Sequence, residues 1–177
     1  DGAGVAIVTA AARLINALPR HPRRTIRLLI AGSEEPGGLG GDAYARAHVS
    51  EHHIIAAESD LGADRVYRFN SGFSQEALPY ARAFQRALAP LGVVPGETTA
   101  DGGTDIGGIK ANGTPVVDLQ QDASRYFNYH HTANDTMAAI DPEQLRQNIA
   151  AYAVFAYMAA ESDWVFGSGA PAPAAMH

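Results

Sequence analysis

The sequence contains no cysteine. Disulfides, cysteine-based zinc sites and thiol nucleophiles are therefore excluded, so any catalysis must come from oxygen and nitrogen groups. Positive charge is also scarce, with 13 Lys and Arg residues against 19 Asp and Glu residues and a formal net charge of -6. The densest basic group is Arg23-Arg24 with Arg20 and Arg27 nearby, which is too small for a phosphate-binding stripe. The composition therefore argues against a nucleic-acid partner.

Long hydrophobic runs are missing as well. The longest one extends from Ile149 to Ala160 and includes two tyrosines, whereas a helix that crosses a bilayer needs about 18 or more apolar residues. We therefore predict no membrane span. The N-terminal residues 1–4 offer neither a basic start nor an initiator methionine, so no export signal can be recognised. On this pattern we expect a chain that has been processed, truncated or excised.

The residues that are present suit one globular domain, since 46% of the 177 residues are hydrophobic. Helix-like and strand-like patterns alternate along the chain. We predict helices at 3–17, 43–49, 76–91 and 145–164, and strands at 25–30, 53–57, 65–69 and 114–119. This alternation predicts an α/β fold with a mostly parallel sheet that helices cover on both faces.

The last predicted helix has the clearest start signal. Asp141 can cap it, Pro142 suits the first helical position, and Gln144 would complete a capping box. Residues 167–177, which follow it, are small and proline-rich, so we predict a flexible tail after a single domain spanning 1–166.

Carboxylates and imidazoles occur at strand ends or in the long polar segment 120–140, and these candidates are Glu34, Glu35, Asp60, His130 and His131. Ligands collect at the C-terminal edge of parallel strands, so we predict a site there. Adjacent residues of extended backbone point in opposite directions, so one glutamate can bind a metal while the other faces the metal-bound water. Carboxylate and imidazole ligands suit zinc, which acidifies its water, and a free carboxylate would act as the base.

Each of these residues also has an ordinary structural explanation. Pairs of glutamates are common in exposed loops, and Asp60 could cap the turn that follows it. His130 and His131 could be a solvated pair, and His48, His52 and His53 are expected at the surface near a helix end. The full set in the correct order is harder to obtain by chance than any single member.

Five short motifs occur in order along the chain. They are Asp-Gly-Ala-Gly-Val-Ala at 1–6, Ser-Glu-Glu-Pro-Gly-Gly at 33–38, Glu-Ser-Asp at 58–60, Gly-Gly-Thr-Asp-Ile at 102–106 and His-His-Thr-Ala-Asn-Asp-Thr at 130–136. Over residues 1 to 160 or so the chain resembles the M28 zinc peptidases, and among them the carboxypeptidase Q branch. The resemblance implies a three-layer α/β/α sandwich around a mixed, mostly parallel sheet. It also implies a two-zinc exopeptidase, either an aminopeptidase or a dipeptidase or carboxypeptidase.

The resemblance implies roles for individual residues. Glu34 resembles the general base of the family, Glu35 resembles a ligand of one zinc, and Asp60 resembles a ligand of the other. His131 is the matching histidine ligand, because the family places it four residues before the Asp of a closing Asp-Thr pair. That Asp is Asp135, which we expect to support the ligand through a hydrogen bond.

His130 and the loop from Thr98 to Gly108 are candidates for substrate contact. His130 cannot easily face the metal that its neighbour binds, so we expect its ring to donate to the oxyanion, with packing against Tyr126 or Tyr129 as the alternative. The loop contains Thr104 and Asp105, which are the predicted substrate-binding residues. An ordinary structural loop is the alternative there.

The chain departs from the family at its N-terminal end. Two further ligands, a His in a His-x-Asp motif and an Asp that bridges both metals, lie upstream of the Gly-Ala-Gly segment in the family. Asp1 matches the residue after the bridging Asp, so we expect the chain to be the C-terminal part of a longer peptidase. Alternatively, Asp1 itself takes the bridging role.

Three functions are therefore considered: a zinc exopeptidase, a non-catalytic binding domain of the same fold, and a single-zinc transferase similar to glutaminyl cyclase. The complete set of acidic and histidine candidates argues against the second, because clustered buried carboxylates are costly to keep. We expect a peptide substrate and neither nucleic acid nor a membrane as partner, and a homodimer stays open. A periplasmic or secreted location is implied by the resemblance alone.

Overall fold

The structure is a computed structural model that describes residues 2–167. Within this range the helices and strands, in chain order, are α1 (Gly2–Asn16), α2 (Leu39–Ala47), β1 (Val66–Ser71), α3 (Leu78–Leu88), β2 (Val94–Pro95), α4 (Gly107–Ala111), β3 (Val117–Gln121) and α5 (Pro142–Glu161). Single 3₁₀ turns occupy Gln75–Ala77, Ala89–Leu91, Tyr126–Asn128 and Met137–Ala139. The predicted tail lies outside the described residues from residue 168 onward.

The sheet is mixed, with β1 at its centre. β1 pairs in parallel with β2 and antiparallel with β3, where Phe69 lies opposite Leu119. One face carries α1, α3 and α5, whose apolar residues share one core with β1 and β3. The other face carries α2 and α4, which pack together through Ala45 and Ile109. The predicted three-layer α/β/α arrangement around a mixed sheet is confirmed.

The four predicted helices are present as α1, α2, α3 and α5. α2 begins four residues earlier than predicted, and α3 is shorter because its ends form the 3₁₀ turns at 75–77 and 89–91. The strands predicted at 65–69 and 114–119 correspond to β1 and β3. Within residues 2–167 no helix is long and apolar enough to cross a membrane.

The strands predicted at 25–30 and 53–57 are wrong for the described part of the chain. Residues 25–30 form no ladder there, and residues 53–57 form only one parallel bridge, between Ala56 and Val116. Both segments have the apolar composition of buried strands. A strand also needs a neighbour that takes up its backbone hydrogen bonds, and these two segments line a cavity instead.

Phe84 of α3 lies at the centre of the main core and is completely buried. Its ring centroid is 5.5 Å from the rings of Phe69, Phe155 and Trp164. Aromatic pairs at such distances contribute about 0.5–1.5 kcal/mol beyond the burial of their area. Phe84 therefore joins α3 to β1, to α5 and to the segment that follows α5.

Two buried amide side chains of α5 hold the loop that enters β1. Asn148 is fully buried, and its amide nitrogen donates to the carbonyl oxygens of Ala63 at 3.2 Å and Asp64 at 3.0 Å. Gln147 accepts from the backbone N–H of Val66 at 2.9 Å and donates to the carbonyl of the same residue at 2.7 Å. Buried polar groups are stable only when they are paired in this way, so these bonds specify one arrangement of α5 on the sheet.

The N-terminus of α5 shows one correct and one wrong prediction. Asp141 is the cap, since its Oδ1 accepts from the backbone N–H of Glu143 at 2.8 Å and of Gln144 at 3.3 Å. The reciprocal bond of a capping box does not form, because the side-chain oxygen of Gln144 accepts from the backbone N–H of Arg65 at 2.8 Å. Gln144 therefore fastens α5 to the residue before β1 through its side-chain oxygen, while its side-chain nitrogen donates to Oδ2 of Asp141 at 3.4 Å.

We expect Asp141→Ala to lower the free energy of unfolding by about 0.5–2 kcal/mol, because two N–H groups of the first turn lose their acceptor. Asp141→Asn is the matched control, since its amide oxygen can accept the same bonds and should retain most of the stability. Urea unfolding followed by circular dichroism measures both. Equal losses in the two variants would contradict the capping role.

Candidate functional site

A cavity of about 1540 Å³ lies between α1, α5 and the irregular segments 25–30 and 53–57. Its wall contains most of the residues predicted for the site, namely Glu34, Glu35, Asp60, Asp105, His130, His131 and Asp135. These residues come from four separate parts of the chain, so the fold brings together what the sequence keeps apart.

A tight turn places the two glutamates at the mouth of this cavity. The carbonyl of Glu34 accepts from the backbone N–H groups of Gly37 at 2.9 Å and Gly38 at 2.6 Å. Gly37 and Gly38 have φ angles of 113° and 69°, which side-chain-bearing residues rarely adopt. The glycines after the glutamates therefore allow the chain to turn sharply into α2.

Close packing of α2 connects this turn to the loop that contains Asp105. A Cβ atom on Gly41 would lie only 2.2 Å from the backbone carbonyl oxygen of Asp105. Only glycine permits this approach, so Gly41 sets the distance between the glutamate turn and the loop.

The imidazole of His131 contacts the carboxylate of Glu35 directly, through Nε2 and Oε1. His131 has a φ of 56°, and the only other non-glycine residue with positive φ in residues 2–167 is Ser33, with 60°. Such backbone costs on the order of 1–3 kcal/mol and is found where the surrounding structure enforces it, often at functional sites. His131 is a predicted metal ligand and Ser33 directly precedes Glu34, so both strained positions lie at the candidate site.

Zinc binds carboxylate oxygen and imidazole nitrogen, and Glu35 with His131 offers one of each. Over residues 2–167, however, no group of three or more His, Asp or Glu side chains is arranged to hold a metal ion. The described residues therefore fit zinc as two ligands of one ion and do not complete a site. Asp1, the alternative bridging ligand, lies outside the described residues.

Burial and neighbouring negative charge raise the pKa of two carboxyl groups in this cavity. Burial raises the pKa of Asp60 above its ordinary value, and the nearby charge of Glu34 raises it further. Burial also raises the pKa of Asp105, with added contributions from Glu34 and Asp60. Like charges held together in this way are stabilised by a cation, so the cavity suits a metal ion or an ammonium group.

His130 lies in a stack of rings. Its centroid is 4.7 Å from the ring of Tyr126 and 3.7 Å from that of His131, with interplanar angles of 28° and 22°. Packing against Tyr126 is the alternative that the sequence analysis left open for this residue. The predicted role of His130 as a donor to the oxyanion stays a prediction.

Asp135 and Thr104, two further predicted site residues, differ in their position relative to the cavity. Asp135 lines the cavity, but among the described residues its side chain makes no hydrogen bond to His131, so the supporting role stays a prediction. Thr104 is not part of the cavity wall within residues 2–167, and its carbonyl accepts from the backbone N–H of Gly107 at 3.2 Å. Of the two predicted substrate-binding residues, Asp105 alone faces the cavity.

Glu58 is a residue that the sequence analysis missed. Its Oε2 accepts from the backbone N–H of Asp105 at 2.8 Å and of Ile106 at 3.2 Å. Burial raises its pKa to about 7, and the charge of Asp105 adds to the effect. Residues two apart in extended backbone point to the same side, so its position two residues before Asp60 was the available signal.

The chain matches the model of the family described as "Peptidase family M28" over residues 1–158. It is 33% identical over 163 residues to carboxypeptidase Q of Bos taurus, covering 91% of this chain and 34% of the relative. Carboxypeptidase Q of Homo sapiens is 32% identical over 167 residues, covering 92% and 35%. A solved peptidase M28 precursor from Shewanella amazonensis is 48% identical, with a TM-score of 0.90 over 98% of this chain and 39% of its own. The chain thus spans about a third of the length of these curated relatives.

We expect the 177-residue chain to bind zinc weakly, since its described residues bring two donors together and zinc sites usually use three or four protein ligands. Equilibrium dialysis measures the binding. His131→Ala should abolish what remains, whereas His21→Ala, at an exposed position that is not part of the cavity wall within residues 2–167, should not change it. Two tightly held zinc ions per chain would contradict the ligand count.

Proposed function

The chain belongs to peptidase family M28, and on that premise we propose that it carries the catalytic glutamate and part of the metal site of a zinc-dependent exopeptidase. The observation that carries the proposal is the direct contact between Glu35 and His131 in the cavity that Glu34 also lines. The substrate class is a peptide with a free terminus. A periplasmic or secreted location is part of the same proposal, and its support is the resemblance to carboxypeptidase Q.

The proposed division of labour follows from the placement of the two glutamates. Zinc, when bound, supplies a Lewis acid beside the scissile carbonyl. Glu35 and His131 would hold one zinc ion, and Asp60, which lines the same cavity, would be a ligand of the other. Glu34 takes a proton from the attacking water and delivers it to the leaving amine, so that the peptide bond breaks as the new C–O bond forms.

The acidic character of the cavity supports a role for Asp105 in substrate binding. With Asp60 and Glu34 nearby, Asp105 lies where negative charge accumulates. A peptide's free ammonium group would relieve that charge, so this end of the cavity suits a free N-terminus. The free C-terminal carboxylate of a peptide would be repelled at this end unless a cation were bound beside it.

A second candidate function is a single-zinc transferase similar to glutaminyl cyclase. It is favoured by one observation, that the described residues bring together only one pair of metal-binding side chains. The two reactions give different products. A peptide with N-terminal glutamine would release ammonia and a cyclised peptide in the transferase, whereas a dipeptide would be split into two amino acids by the exopeptidase.

We expect Glu34→Gln and Glu35→Gln to have separate effects in the protein expressed from its complete gene. Glu34→Gln should lower kcat by about 10² to 10⁴ with near-normal zinc content, because it removes the general base and leaves the ligands in place. Glu35→Gln should instead lower the zinc content. Plasma emission spectrometry together with peptide hydrolysis measures both, and equal loss of zinc in the two variants would show that the roles are wrongly assigned.

For His130 we expect His130→Ala to lower kcat about 10² to 10³-fold with zinc retained, as for the loss of one donor to an oxyanion. His130→Phe is the matched variant, since it keeps an aromatic ring against Tyr126 and removes the donor. Steady-state kinetics of the metal-replete enzymes separate the two explanations. Normal turnover in His130→Phe would mean that the residue serves packing alone.

A further inference from the structure

Two carboxylates fasten the loop between β2 and α4, at different points. Asp118 of β3 accepts from the backbone N–H groups of Asp101 at 3.1 Å and Gly102 at 2.7 Å. Glu58 accepts from those of Asp105 at 2.8 Å and Ile106 at 3.2 Å, both at the same oxygen. Backbone N–H groups bound to an ionised carboxylate form stronger bonds than neutral pairs do. The middle of the loop and its end at α4 are thus held by separate carboxylates.

The loop is shaped around the Glu58 carboxyl group. Gly103 has a φ of 109°, and a Cβ atom there would lie 2.4 Å from the carboxyl carbon of Glu58. The loop therefore contacts the carboxyl group through bare backbone on one side and through two N–H groups on the other. Any residue with a side chain at position 103 would force the loop away from Glu58.

The backbone of Glu58 is itself held by a hydrogen bond. The hydroxyl of the buried Tyr152 donates to the backbone carbonyl of Glu58 at 2.5 Å. On the far side of the loop, Gly41 lies against the backbone of Asp105, so that residue is fixed from both directions. One carboxylate oxygen of Asp105, Oδ1, is buried and has no hydrogen-bond partner among residues 2–167. This oxygen is therefore positioned by the backbone of Asp105 and not by a hydrogen bond of its own.

We propose that Glu58 is a positioning residue, whose carboxylate fixes the backbone of Asp105 and thereby holds the Asp105 side chain against the cavity that contains Glu34 and Asp60. The part of this inference that concerns the substrate rests on the proposed function. Glu58 touches neither substrate nor metal in this scheme. It acts through Asp105, and Asp118 serves as the internal comparison because it fastens the same loop away from that residue.

Hydrogen exchange at single amides tests the positioning without any enzyme assay. Glu58→Ala should speed exchange of the Asp105 and Ile106 amides at least about tenfold, the expected result of losing their shared acceptor. Glu58→Gln should restore protection, because one amide oxygen can accept both bonds. Asp118→Ala should speed exchange at Asp101 and Gly102 and leave residues 105 and 106 protected. If Glu58→Ala does not fold, Glu58→Asp, with a shorter side chain, replaces it with the same expectation.

Kinetics on the protein expressed from its complete gene test the action through Asp105. Glu58→Ala and Asp105→Asn should each raise KM for a dipeptide, and the double variant should be little worse than Asp105→Asn alone, because coupled residues are non-additive. Glu58→Gln should rescue most of the loss. Additive effects, or a Glu58→Gln variant as impaired as Glu58→Ala, would overturn the inference. A wild-type protein without hydrolytic activity would defeat the proposed function only, since the exchange experiment still decides the role of Glu58.

Discussion

Buried amide side chains at one end of α5 determine where the acidic part of the site lies. Asn148 accepts from the side-chain nitrogen of Gln121 at 2.8 Å, and that nitrogen also donates to the carbonyl of Gly62 at 2.7 Å. The side-chain oxygen of Gln121 accepts from the backbone N–H of Leu61 at 3.3 Å. A single network of bonds thus joins α5, β3 and the segment directly after Asp60. Because unpaired amides are costly inside a protein, the segment has one stable position, and Asp60 takes its place from it.

Most of the helices and strands can be predicted from the sequence, but which segments pair with one another cannot. α1 follows from its apolar periodicity, because Ile7, Ala11 and Ile15 recur at helical spacing and are buried in the structure. The start of α5 follows from Asp141, a local signal. By contrast, the segments 25–30 and 53–57 look like strands, and a strand is decided by a neighbour that local composition does not reveal.

The same distinction applies to the site. Glu34, Glu35, Asp60 and His131 could be selected from motifs, and the fold places all four around one cavity. Glu58 belongs to the Glu-Ser-Asp motif too, but its bonding could not be predicted from it, because its carboxylate accepts from backbone N–H groups 47 and 48 residues away, and every residue except proline has such an N–H. Gln144 shows the converse: a correct local motif was diverted by the backbone of Arg65, which tertiary packing brings within reach. Motifs reveal chemical groups, whereas bonds to distant backbone become visible only in the folded chain.

The contact between Glu35 and His131 has a consequence for the order in which the chain assembles. The two residues are 96 positions apart, and closing a loop of that length costs on the order of 4 kcal/mol of chain entropy. Their side chains are 65% and 59% exposed, and an exposed ion pair contributes only about 0–1 kcal/mol. The pair therefore cannot draw its own segments together and depends on the packing of the rest of the fold to bring them into contact. The two donors that the described residues offer to zinc are thus a product of the folded chain, and neither segment holds them in place by itself.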